Sequence, residues 1–251
     1  MRLAVAGKGG AGKTTLSATM ARIAAKAGRQ VVAIDADTNP NLAVALGIAS
    51  ADVERTPILP TTIVSRRFDG HGLNVSIDEV LAAHATCGPD GVLLVRMGMP
   101  THAQEGCLCS AHAAASALLG DLGACTEWFT IMDLEASPEH LSRGTARHAD
   151  LLMLVAEPYF RSLETVRRQA ALAAELPDTT VGVVANKLRR DGDAETIRDF
   201  TTDLGLPLWG AVAWSDDVGD ADRAAVALVD HAPHGIVVES VRRLVATLGV
   251  C

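Results

Sequence analysis

The sequence predicts an α/β fold, a mostly parallel twisted sheet flanked by helices on both faces. Two observations carry that prediction. Short apolar runs alternate with longer amphipathic stretches, the pattern of right-handed βαβ crossovers. The composition is 49% apolar but only 3% aromatic, so Ala, Val and Leu must build a core of helices laid on buried parallel strands. A length of 251 residues is ordinary for one such domain, and residues 1–251 are read as a single unit.

Strands are expected at residues 3–6, 31–34, 128–132, 151–155, 181–185 and 208–212. Helical periodicity falls at 14–26, 138–148, 162–173, 194–204 and 235–247. Residues 50–123 break the alternation with Pro57, Pro60, Pro89, Pro100 and several glycines. They read as an insertion on the core, with strands expected at 73–77 and 92–96.

The net charge of −8 argues against nucleic acid and anionic lipid as default partners. No apolar stretch reaches the roughly 20 residues that span a bilayer, and no secretory leader is expected. The expectation is a cytoplasmic protein without stable membrane association. Five cysteines, an odd count in that setting, argue against a disulfide framework and for metal or redox chemistry.

Gly7, Lys8, Gly9, Gly10, Ala11, Gly12, Lys13, Thr14 and Thr15 follow the first strand and open the first helix. They satisfy G-x-x-x-x-G-K-[ST] in the context the phosphate loop requires, and so predict a P-loop NTPase fold that binds ATP and ADP. Glycines let backbone N–H groups converge on phosphate oxygens, and the helix adds its positive end. Lys13 is expected on the β and γ phosphates, and the Thr14 hydroxyl on Mg²⁺. Lys8, a second lysine early in the loop, resembles the deviant P-loop (SIMIBI) class of MinD, ParA, ArsA and nitrogenase iron protein. That resemblance implies a homodimer in which Lys8 reaches the partner's nucleotide. A cation there would stabilise charge developing in phosphoryl transfer.

Carboxylates just past parallel strands sit where ligands bind in such sheets. Asp35 and Asp133 are the candidate magnesium residues. Asp37 resembles the switch I aspartate of the class, with the role of orienting or deprotonating the attacking water. Residues 133–141 would form switch II, sensing the γ-phosphate. Asn186 follows a predicted strand, and its amide can pair with an adenine edge; in the class an asparagine here holds adenine. The catalytic set is thus Lys8, Lys13 and Asp37.

The segment Arg96-Met97-Gly98, then Cys107-Leu108-Cys109, together with Glu139-His140-Leu141 and Glu157-Pro158, resembles the CooC family across the chain. Those are ATPases that help insert nickel into carbon monoxide dehydrogenase. The resemblance implies a metallochaperone-type ATPase and a nickel-enzyme client. One C-x-C supplies only two thiolates. A twofold homodimer would bring four to its axis, suiting Zn²⁺ or Ni²⁺. A site within one chain from His102, Cys107, Cys109 and His112 is the competing arrangement, and unliganded thiols the third. His84 and Cys87 also have ligand-like spacing, while Cys125 reads as core filler. The alternative function is a MinD- or ParA-like positioning ATPase that binds membrane or DNA, motivated by the apolar spacing of residues 236–248. A nitrogenase-type reductase is disfavoured because that family's cluster cysteines are widely separated.

Overall fold

The computed structural model describes residues 1–55, 57–65, 72–98, 108–137, 139–142, 144–176 and 178–251, with only the backbone of Ser50 and Glu139. Strand β1 (Arg2–Gly7) runs into the glycine loop and helix α1 (Lys13–Lys26), which returns to β2 (Gln30–Ala36). Short helices α2 (Leu42–Leu46) and α3 (Ser50–Arg55) precede α4 (Ile77–His84), β3 (Ala85–Cys87) and β4 (Leu93–Arg96). Helix α5 (Cys109–Asp121) leads to β5 (Trp128–Leu134), α6 (Glu139–Ser142), β6 (Leu151–Ala156) and α7 (Phe160–Ala173). The chain finishes through β7 (Thr180–Leu188), α8 (Asp193–Asp203), β8 (Leu208–Ala213), α9 (Asp217–Arg223), α10 (Leu228–His231) and α11 (Ile236–Thr247).

The strands form one sheet in the order β3-β4-β2-β5-β1-β6-β7-β8. Every pairing is parallel except β3 with β4. This is the α/β architecture the apolar runs predict. Residue alternation along the strands divides the core. Leu3, Val5, Val31, Ala33, Phe129 and Ile131 face α1 and α11, whereas Ala4, Ala6, Val32, Ile34, Met132 and Leu134 face α5 and α7. Asp35 and Asp133 share the parity of the first set and are paired in register across β2 and β5. Both therefore face the α1 side of the sheet, at its C-terminal edge.

Two expectations are corrected. Residues 73–77 form no strand; Leu73 makes only an isolated bridge to Val64. Ser76 starts α4 instead: its hydroxyl accepts from the Glu79 N–H at 3.2 Å, while the Glu79 carboxylate accepts from the Ser76 N–H at 2.9 Å. That reciprocal capping box outcompetes the β pattern. The helix expected at 138–148 is confined to α6. Gly144, at φ 68°, turns the chain in a left-handed conformation a helix cannot continue through. The apolar face of α11, which motivated the membrane alternative, is spent inside the protein: Val237, Val238, Val241, Leu244 and Val245 are buried. Among the described residues no helix is long and apolar enough to cross a membrane.

One buried cation ties the α1 face together. Arg22, only 2% exposed, donates to Asp90 at 2.6 Å, to Asp230 at 2.9 Å and to the Leu46 carbonyl at 2.7 Å. It thereby joins α1 to α2, to the turn before β4 and to α10. Arg22→Ala is expected to cost about 2–3 kcal/mol in urea unfolding, below the usual figure for a broken buried pair because water can reach both aspartates. A loss under about 0.5 kcal/mol, the size of an ordinary surface substitution, would show that the hub is incidental.

Candidate nucleotide-binding site

The site begins with backbone geometry. Gly12 sits at φ 97° as the residue capping α1, with no side chain satisfying the first turn. The N–H groups of that turn are therefore left for a ligand, and the helix dipole favours an anion there. A Cβ on Gly12 would collide with the Asn186 amide nitrogen, so only glycine fits. Asn186 itself is buried and donates to the Ala11 carbonyl at 2.7 Å, pinning the loop to β7. Gly7 closes β1, Lys8 is half-buried, and Gly9 and Gly10 are exposed.

Lys13 opens α1, is 6% exposed and points back to the Lys8 carbonyl at 3.4 Å. Burial lowers its pKa, opposed by the fields of Asp133, Asp37 and Glu135. A buried ammonium held by a weak carbonyl contact is poised for a phosphate oxygen. Thr14 donates its hydroxyl to Asp133 at 2.6 Å, and Ser17, one turn on, donates to the other Asp133 oxygen at 3.2 Å. Thr15 is half-buried, and its carbonyl accepts from the Thr19 hydroxyl.

Burial pushes Asp133 up to about 7, with the adjacent Asp35 charge adding to it and the Thr14 hydroxyl opposing. Burial likewise raises Asp35 to about 6, opposed by the N–H groups of Leu42 and Asp37. Those bonds measure 3.0 and 3.3 Å. Two buried carboxylates and a threonine hydroxyl at the phosphate loop form a set of hard oxygen donors, which fits Mg²⁺. Asp37, just past β2, is half-buried and accepts from the Asn39 N–H at 2.8 Å, an Asx turn that orients its carboxylate.

Several participants escape sequence reading. Lys187 has a left-handed backbone, φ 59°, inside an irregularity of the β7–β8 pairing between Ala185 and Leu188. Such a bulge re-aims a side chain. Here its ammonium donates to the Gly10 carbonyl and lies 3.7 Å from Glu157. Tyr159 donates to Glu157 at 2.9 Å, and its ring lies 5.8 Å beneath the Lys8 ammonium. Arg189 stacks on exposed Trp214, 3.6 Å from the ring centre. The family resemblance at Glu157-Pro158 and the neighbour relation of Lys187 to Asn186 were the sequence signals.

The structure brings Lys8, Lys13, Thr14, Asp35, Asp37, Asp133 and Asn186 to one end of the sheet. Cys109 is exposed at the start of α5; Cys107 and His102 fall outside the described residues. Cys109 is disulfide-bonded, whereas Cys87, Cys125 and Cys251 are free. The odd cysteine count gave no sign of that bond. His112, the other member of the competing set, is buried on α5. Among the described residues no group of three or more His, Cys, Asp or Glu side chains could hold a metal ion.

A parallel sheet ending in this loop, with two carboxylates beside it, defines a P-loop ATPase. The chain belongs to the CobQ/CobB/MinD/ParA nucleotide-binding domain family, whose model matches residues 3–228, and within it to the CooC-type ATPases. It is 33% identical to the carbon monoxide dehydrogenase accessory protein CooC of Rhodospirillum rubrum, over all of both chains. It is 34% identical to an uncharacterized ATP-binding protein of Methanocaldococcus jannaschii, over 87% of each. Among solved structures, the MinD cell division protein of Aquifex aeolicus shares the fold at a TM-score of 0.74 and 17% identity, covering 99% of this chain and 96% of that one.

The carboxylates set a pH dependence. Unfolded Asp133 ionises near 3.8 and folded Asp133 near 7. Between those values the folded state keeps a proton that the unfolded state has lost. The stability of protein freed of nucleotide and metal therefore falls as pH rises from about 4 to about 7, then levels. Asp133→Asn is expected to flatten most of that slope in thermal melts. An unchanged slope would place the proton elsewhere.

Proposed function

We propose that this ATPase handles a soft divalent metal, nickel or zinc, as cargo for the maturation of a nickel enzyme. The carrying observation is one chain that joins the two-lysine phosphate loop to the C-x-C of Cys107 and Cys109. Full-length similarity to an accessory protein of carbon monoxide dehydrogenase supports the client class. On this reading the protein works in the cytoplasm as a single P-loop domain, residues 50–123 being the insertion that carries the cysteines. A twofold homodimer supplies two pairs of thiolates. Cys109 must be reduced before it can act, because the ligand is the thiolate.

In the hydrolytic step, residues 7–15 and Asn186 hold the nucleotide, and Lys13 neutralises the terminal phosphates. Thr14, Asp35 and Asp133 would hold Mg²⁺, which supplies charge neutralisation at the phosphate oxygens. Asp37 orients the attacking water and accepts its proton. Lys8 leaves Tyr159 and meets the partner's nucleotide, where its charge counts most as the bridging oxygen becomes negative. Release of phosphate loosens the dimer, so metal affinity is linked to nucleotide state.

The positioning alternative lost its motivating feature when the apolar face of α11 proved buried. Retention on anionic vesicles or nonspecific DNA only with ATP would revive it.

Lys8→Ala is expected to keep nucleotide affinity while turnover falls about 10²–10³-fold, the cost of one transition-state donor. Light scattering should then show no ATP-dependent dimer, and a dimer of undiminished activity would refute the role. For the cargo, reduced wild type and the Cys107→Ala, Cys109→Ala double variant are compared for bound Ni²⁺ and Zn²⁺. Loss of stoichiometric metal in the variant is expected; equal stoichiometry rejects the site.

A further inference from the structure

Helix α5 is fastened to the segment after β5 by two contacts one helical turn apart. The rings of His112 and His140 meet edge to face, with centres 4.4 Å apart and planes at 89°. The Ser116 hydroxyl donates to the Gly144 carbonyl at 3.2 Å. His112 and Ser116 are four residues apart, so they lie on one face of α5. Beyond His140 the path continues: its Nε2 lies 3.3 Å from the Glu135 carboxylate. Glu135 follows Asp133 by two residues, and its field acts on Lys13. In the other direction, α5 opens with exposed Cys109, three residues before His112.

Burial gives this path its force. His140 is 2% exposed, His112 7% and Ser116 4%. Water cannot fill in if these groups separate, and packed interiors shift between discrete arrangements rather than deforming smoothly. A movement of Glu135 toward or away from the phosphate site must therefore carry His140 along or break the Glu135–His140 contact. Because α5 is a 13-residue helix, a push at His112 reaches its first residue.

We infer that His140 and His112 are positioning residues that transmit the state of the phosphate site to the Cys109 end of α5. Cys109 is then presented differently with ATP and with ADP bound. This deepens the metal-handling reading by naming its regulation, and it rests on that reading only for what Cys109 binds.

The test follows the sulfur directly. Full-length, reduced protein is alkylated with iodoacetamide, and the rate at Cys109 is read by peptide mass spectrometry with a non-hydrolysable Mg-ATP analogue and with Mg-ADP. The two wild-type rates are expected to differ at least about fivefold, the low end of allosteric coupling. His140→Ala and His112→Ala, each at saturating nucleotide, should bring that ratio below about twofold. His112→Phe, which keeps a ring against His140, should retain the wild-type ratio. Should His140→Ala fail to fold, His140→Gln replaces it with the same expectation. A wild-type ratio of one, or alanine variants that keep the wild-type ratio, overturns the coupling. If nickel and zinc fail to bind while the ratio persists, the cargo reading falls and the coupling stands.

Discussion

Two buried carboxylates side by side, Asp35 and Asp133, are the constraint on which the site depends. In-register pairing of β2 and β5 forces them together, and they face α1 at the C-terminal edge of a sheet whose interior is mostly apolar. Their nearest partners are hydroxyls and backbone N–H groups. Those bonds offset part of the desolvation cost, and protonation offsets more. A bound divalent cation would relieve both groups at once. The same arrangement explains why α1 carries Ser17 a turn beyond Thr14: each Asp133 oxygen receives its own hydroxyl.

Around that pair the loop is held from outside rather than by itself. Asn186 grips the Ala11 carbonyl and Lys187 the Gly10 carbonyl, both from β7. Just past β6, Glu157 lies against Lys187, and Tyr159, which donates to Glu157, sits beneath Lys8. The phosphate cradle is thus shaped by three strands, β1, β6 and β7, although one continuous stretch of sequence supplies its backbone.

Much of this was legible in the chain. Apolar runs located the central strands because parallel strands are hydrophobic on both faces, and the loop was legible because its chemistry leaves few substitutes for glycine, lysine and threonine. The segment 73–77 misled because Leu73, Val75 and Ile77 alternate, whereas Ser76 and Glu79 satisfy each other's backbone and start a helix. Gly144 cut short the helix expected at 138–148, since periodicity carries no information about where φ turns positive. The contacts of Lys187 and Tyr159 were not legible because they come from a bulge and from neighbours far along the chain. The pairing of His112 with His140 arises only when α5 packs beside the segment after β5.

The antiparallel strand β3 has a consequence for assembly. It spans three residues and borders the sheet next to β4. An open parallel border invites foreign polypeptide to dock by backbone hydrogen bonding; a hem this short gives an intruder little to zip onto. Copies of the chain are thereby steered away from growing ribbons through that flank.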